Sequence, residues 1–158
     1  MPELKCILLV EDDPYDVELI VTGLAENNLA NEVVLARDGD EALDFFNCRG
    51  KFTNKADLVP AVVLLDLKLP KVSGIEVLKY MKTDERLKSV PVVILTSSTK
   101  DTDIAEGYKF GANGYVVKPV DFHEFVDVVK RMGAFWAIVN EPPTVRDDIS
   151  CAHPASRG

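Results

Sequence analysis

Five short apolar runs recur along the chain: "LKCILLV" from residue 4, "EVVLA" from 32, "AVVLLD" from 61, "VPVVILT" from 90 and "GYVV" from 114. Each is rich in branched aliphatics and mostly apolar at consecutive positions. That is the pattern of parallel strands covered on both faces. Helical patterns lie between them. Val17, Ile20, Val21 and Leu24 recur at i, i+3, i+4, i+7 behind Pro14, a residue suited to a helix start. Ala42, Leu43 and Phe46 follow Asp38, a plausible N-cap, and Ile75, Leu78 and Met81 follow Gly74. The weakest helical pattern, from Asp101 to Phe110, has a thin apolar stripe interrupted by Gly107. Strand and helix alternating in this way predict an α/β domain, a parallel sheet with helices on both faces and right-handed crossovers.

Two segments break the rhythm. "NCRGKFTNKADLVP", residues 47–60, is long and polar for a helix-to-strand link and predicts a protruding loop. After residue 139 the chain loses periodicity and gains Pro and small polar residues, so residues 140–158 are expected to form a mobile tail. The 158 residues, 47% hydrophobic and 28% charged, suit one globular domain. A net charge of −8 argues against direct contact with nucleic acid, whose binding draws on clustered Lys and Arg. No stretch approaches membrane-spanning length, and "CILLV" is too short for a signal-peptide core, so a cytoplasmic protein is expected. Cys6, Cys48 and Cys151 form no C-x-x-C pair, and only His123 and His153 could join them at a metal, so free thiols are expected.

The chemistry concentrates where the strands stop. In "VVLLDLKLPKVSG", residues 62–74, a run of buried aliphatics ends at Asp66, and a carboxylate there is costly unless charge or hydrogen bonds meet it. The first strand ends in Glu11, Asp12 and Asp13, the fourth in Thr96, and the fifth in Lys118 and Pro119. Ligands of open α/β sheets collect at these carboxyl ends. Singly, each residue could be a cap or a solvated charge. Together they bring several carboxylates, an ammonium and a hydroxyl to one crevice. Close carboxylates raise one another's pKa values unless a cation sits among them, and hard oxygen donors suit Mg²⁺. A divalent ion, a lysine and a hydroxyl around one aspartate are what transfer of a phosphoryl group to a carboxylate needs.

The segments "ILLVEDDP", "LLDLKLPKVSG", "VVILTSS" and "GANGYVVKPV" together resemble the signatures of response-regulator receiver domains of two-component signalling, over roughly residues 4–139. The resemblance implies a flavodoxin-like, doubly wound (βα)5 three-layer sandwich with parallel strand order 2-1-3-4-5, and a receiver domain over residues 1–139. It implies that Asp66 is the phosphoacceptor, and that Glu11, Asp12, Asp66 and the backbone carbonyl of Lys68 hold Mg²⁺ or Mn²⁺. Thr96 would contact the phosphoryl group, Lys118 pair with it, and Tyr115 serve as the aromatic switch. The Lys118–Pro119 bond is expected to be cis. The opening "EDDP-x-D", the long insertion after the second helix, "KPVDFHEF" and the late "FW" are also similar to stand-alone regulators of phytochrome-type histidine kinases. Such a protein accepts phosphate from a kinase and is a signalling partner more than an enzyme. No output domain is visible after residue 139, so output is expected to come from binding.

Other readings fit less well. A Mg²⁺-dependent aspartyl-phosphate phosphatase of the haloacid dehalogenase type would carry D-x-D after its first strand, whereas Asp66 is followed by Leu67 and Lys68. Flavin binding lacks a Ser/Thr-rich phosphate loop, and a degenerate receiver serving as a scaffold would not keep Glu11, Asp12, Asp66, Thr96 and Lys118 together. The last helix offers two apolar stripes. Phe122, Phe125, Val126 and Val129 are spaced to cover the sheet; Val128, Met132, Phe135 and Val139, with Trp136 at their edge, lie on another side and predict a homodimer interface.

Overall fold

In a computed structural model of the chain, residues 6–26, 31–55 and 60–136 are described. Strands β1 (Cys6–Val10), β2 (Val33–Ala36), β3 (Pro60–Leu65), β4 (Val92–Thr96) and β5 (Gly114–Val117) alternate with helices α1 (Pro14–Ala25), α2 (Gly39–Phe46), α3 (Gly74–Thr83), α4 (Asp101–Lys109) and α5 (Phe122–Ala134). All strand pairs are parallel, in the order β2-β1-β3-β4-β5. The expected flavodoxin-like (βα)5 arrangement is therefore present.

The consecutive apolar residues of the strands divide between two layers because side chains alternate across a sheet. Leu8, Val10, Val63, Leu65 and Ile94 face a core shared with Ala42, Phe45 and Phe46 of α2 and Val77, Leu78 and Met81 of α3. Ile7, Leu9, Val62, Leu64, Val93 and Leu95 face the opposite core, closed by Leu19, Ile20 and Leu24 of α1 and Phe125, Val126, Val129 and Met132 of α5. The central strands are buried throughout, as a doubly covered sheet requires.

Helix starts follow local chemistry. The side chains of Asp13, Asp38, Ser73 and Asp121 accept from the backbone N–H groups of Tyr15, Glu41, Glu76 and Glu124, capping α1, α2, α3 and α5. Asp13 is thus the cap of the acidic triplet. In α4, Gly107 does not interrupt the helix: it is the buried residue of that element, and a Cβ there would lie 2.7 Å from Ile94 Cδ1. The missing side chain is what lets α4 approach β4.

Four expectations need correction. In α1, Leu19 replaces Val21 on the buried face, and Val21 is exposed. The segment after α2 is not simply a protruding loop. It forms a 3₁₀ helix, Gly50–Lys55, whose Phe52 is buried with its ring 5.5 Å from Phe45 in an edge-on contact. In α5, Phe122 is exposed while Met132 is buried against α1, so Met132 belongs to the intramolecular face and cannot serve a dimer interface. Trp136 also packs against that core, Val128 is half-buried and Phe135 remains exposed. Cys6 is buried, and Cys48 is not the free thiol expected but is disulfide-bonded. Val139, Cys151 and the segment 140–158 lie outside the described residues. Among the described residues, no helix is long and apolar enough to cross a membrane.

Candidate functional site: an acidic cleft at the carboxyl edge of the sheet

The strand register assembles the site. Val10 pairs with Leu65, so Glu11 and Asp66 are the first residues beyond two neighbouring strands. Thr96 pairs with Val117, which leaves Lys118 just beyond the next strand pair, its backbone N–H donating to Thr96 O at 2.7 Å. Asp66 is drawn onto the same edge by its N–H, which donates to Val10 O at 3.1 Å.

The Lys118 ammonium closes the cleft. Its Nζ donates to Glu11 Oε1 at 2.6 Å, Asp16 Oδ2 at 2.9 Å and Asp66 Oδ2 at 3.2 Å. Glu11, Asp66 and Lys118 are largely removed from solvent, with side-chain exposures of 2%, 9% and 7%. The other Asp66 oxygen, Oδ1, accepts from the backbone N–H of Lys68 at 3.3 Å. This places the Lys68 backbone at the rim.

Glu11, Asp12 and Asp66 each present an oxygen within 4.8 Å of the others. Three convergent carboxylates, Glu11 and Asp66 largely enclosed and Asp12 open to water, fit a hard divalent cation that keeps part of its water shell. The electrostatics agree. Burial lifts the Glu11 carboxyl from its ordinary 4.5 to about 7; Lys118 opposes the lift and the Asp66 charge adds to it. Burial by itself would lower the Lys118 ammonium, but its bonds to Glu11 and Asp16 and the charge of Asp66 outweigh that and hold it above its ordinary value. The Lys118 shift reflects the several carboxylates gathered around one cation, whereas the Glu11 shift reflects chiefly its burial.

The sequence-predicted residues thus converge: Glu11, Asp12, Asp66, Thr96 and Lys118 occupy one edge. Thr96 is completely buried and its Oγ1 has no hydrogen-bond partner. An unpaired buried hydroxyl is destabilising and calls for an acceptor. Tyr115, half-buried on β5, donates its hydroxyl to the carbonyl of Ser98 at 3.0 Å, and burial raises its phenol above the usual value. Ser98 in turn donates to Asp103 in the first turn of α4. The expectation of a cis peptide is corrected: no described residue has one, so the Lys118–Pro119 bond is trans. The trans form is the ordinary preference of an X–Pro bond, and with it Lys118 already reaches Glu11, Asp16 and Asp66.

Two contributors escaped the reading of strand ends. Asp16 sits in the first turn of α1, and the "EDDP-x-D" run that ends on it was the available signal. Ser98 lies in the loop after β4, where the "TSS" run offers hydroxyls without marking which one is bonded.

Residues 7–130 match the response regulator receiver domain family. The response regulator Rcp1 of Synechocystis sp. is 36% identical over 132 residues, covering 84% of this chain and 88% of that one. The Mn(2+)-bound form of Rcp1 superposes with a TM-score of 0.82 at 34% identity, over 89% of this chain and 99% of that one. The phosphorylated cyanobacterial phytochrome response regulator RcpA superposes with a TM-score of 0.83 at 37% identity, over 90% and 100% of the two chains. The bacteriophytochrome response regulator AtBRR is 54% identical with a TM-score of 0.70, over 89% and 100%. With the strand order, the acidic cleft and this span of similarity in agreement, the chain belongs to the response regulator receiver domain family and is similar within it to the regulators of phytochromes.

Proposed function

We propose that the chain is a single-domain response regulator, with residues 1–139 as its receiver, that accepts a phosphoryl group on Asp66 from a phosphohistidine of a partner kinase. The observation that carries this is Asp66 itself: a buried carboxylate at the end of β3, one oxygen 3.2 Å from the Lys118 ammonium, inside the group Glu11, Asp12 and Asp66. In the transfer, a carboxylate oxygen of Asp66 forms a bond to phosphorus as the P–N bond of the donor breaks. The imidazole keeps that electron pair and takes up a proton, and the product is an acyl phosphate. Mg²⁺ or Mn²⁺ held by Glu11, Asp12, Asp66 and the Lys68 carbonyl would supply charge neutralisation for the phosphoryl oxygens. Lys118 pairs with one of these oxygens. Thr96, buried without an acceptor, turns its hydroxyl to another, and the shift is passed to Tyr115, whose bond to Ser98 ties the β4–α4 loop to β5.

The donor we propose is a phytochrome-type histidine kinase, on the strength of the similarity to RcpA, Rcp1 and AtBRR. The protein acts in the cytoplasm and binds no nucleic acid directly. It is a signalling partner that assists its own phosphorylation and dephosphorylation. Its output is a protein contact, which includes self-association around the exposed Phe135 on the outer edge of α5. Incubation with a phytochrome-type kinase and labelled ATP tests the assignment. A base-labile label is expected on the wild type, and none on Asp66→Asn or in the presence of a chelator. Label retained by Asp66→Asn refutes it. For self-association, sedimentation should give a dimer that Phe135→Asp dissociates; a wild-type monomer refutes that part alone.

A further inference from the structure

Asp16 stands apart from the acids that phosphoryl transfer uses. It belongs to α1, not to a strand end, and it is not among the three carboxylates grouped to hold a cation. Its Oδ2 nevertheless accepts from Lys118 Nζ at 2.9 Å, a shorter contact than the 3.2 Å from the same ammonium to Asp66. Lys118 is nearly enclosed, whereas the Asp16 side chain keeps 20% of its surface in water. One ammonium is therefore shared between the cleft and the first turn of a helix that borders it.

Resting on the phosphoacceptor reading, we infer that Asp16 is a positioning residue: it holds the Lys118 ammonium on the α1 side of the cleft and competes for it with the incoming phosphoryl oxygens, so that it restrains the rate of transfer to Asp66. Lys118 has three donors and already serves three carboxylates. An arriving phosphoryl group brings further negative oxygens to the same cation, so one of the existing contacts must lengthen. Asp16 is the one partner whose release leaves its carboxylate hydrated, because it alone is partly exposed.

The step is the transfer already described, with a small donor in place of the kinase. A carboxylate oxygen of Asp66 attacks the phosphorus of acetyl phosphate, the P–O bond to acetate breaks, and acetate leaves as the anion. With Mg²⁺ present, phosphorylated chain is followed by intact-protein mass. Asp16→Asn and Asp16→Ser should each accelerate phosphorylation by about three- to tenfold, the scale of one charge-assisted contact. In a Lys118→Ala background, measured over longer times, Asp16→Asn should change the rate by less than about twofold. Rates equal to wild type in both single variants, with labelling still dependent on Asp66, overturn the inference and leave the phosphoacceptor reading intact. An acceleration that persists in Lys118→Ala also overturns it, since Asp16 would then act through the field of the cleft and not through the lysine. Mass gained equally by Asp66→Asn overturns both.

Discussion

Gly74 lies so close behind Asp66 that a Cβ atom on it would stand 2.2 Å from the Asp66 carbonyl oxygen and 2.6 Å from Leu67 Cα. Both neighbours are backbone, so neither can swing aside. The first residue of α3 is thereby pressed onto the segment that carries Asp66, and its N–H donates to Leu67 O at 3.0 Å. Gly74→Ala should destabilise the protein by about 2–3 kcal/mol, the scale of overpacking, even though alanine is the better helix former by about 1 kcal/mol. Urea unfolding at equilibrium checks this. An unchanged or raised midpoint would mean that the β3–α3 segment yields where the contact distances say it cannot.

Thr96 carries a hydroxyl that is buried and unpartnered. Valine has the same shape without the oxygen. Thr96→Val should therefore raise the stability of the unphosphorylated protein by about 1 kcal/mol. The same variant should lose phosphate-dependent partner binding. Denaturation with urea and a binding assay read the two effects separately, and a variant less stable than wild type would show that the hydroxyl has an acceptor after all.

Glu11 sets a pH dependence. In the metal-free protein its carboxyl is raised by burial from 4.5 to about 7. For a group raised in the folded state, the associated stability is complete below the unfolded value of 4.5 and is lost as pH rises through about 7. A cation held by Glu11 needs the carboxylate, so Mg²⁺ binding should expel a proton and weaken as the pH falls below about 7. Calorimetry in two buffers of unequal ionisation enthalpy, at a pH of about 6, should give heats that differ in proportion to the proton released. Equal heats would place Glu11 outside the cation site or leave it charged beforehand.

Phe52 pins the segment after α2. Its ring is 3% exposed and meets Phe45 edge-on. Phe52→Ala should cost about 3–5 kcal/mol through the cavity left in the layer shared by α2 and α3. A loss below about 1 kcal/mol, read from thermal or urea unfolding, would return this segment to the status of a loose loop.

The cleft could be read from the chain because each strand announces its own end. Aliphatic runs stop at Glu11, Asp66, Thr96 and Lys118, and parallel order carries all four stops to one edge. What local pattern does not carry is the choice of neighbour. Asp16 gains its role only from the reach of Lys118, which no periodicity encodes. Phe52 hides among Gly, Lys, Thr and Asn, so its burial depends on the two phenylalanines of α2 that await it. The facing of α5 failed for a related reason. Phe122, Phe125, Val126, Val129 and Met132 satisfy more than one helical stripe, and packing against α1 selects Met132 and rejects Phe122. Lys118–Pro119 was read through family likeness alone, and its trans geometry follows the ordinary preference of the bond.

Lys118 follows Glu11 by 107 positions and Asp66 by 52. A nascent chain leaving the ribosome therefore displays every acid of the cleft well before the one cation that organises them. Until β5 has docked beside β4, Glu11, Asp16 and Asp66 lack the ammonium that bonds all three of them. The charge balance of the cleft is then a property of the completed sheet alone. A fragment cut short of β5 would carry the acids of the cleft without the cation that balances them.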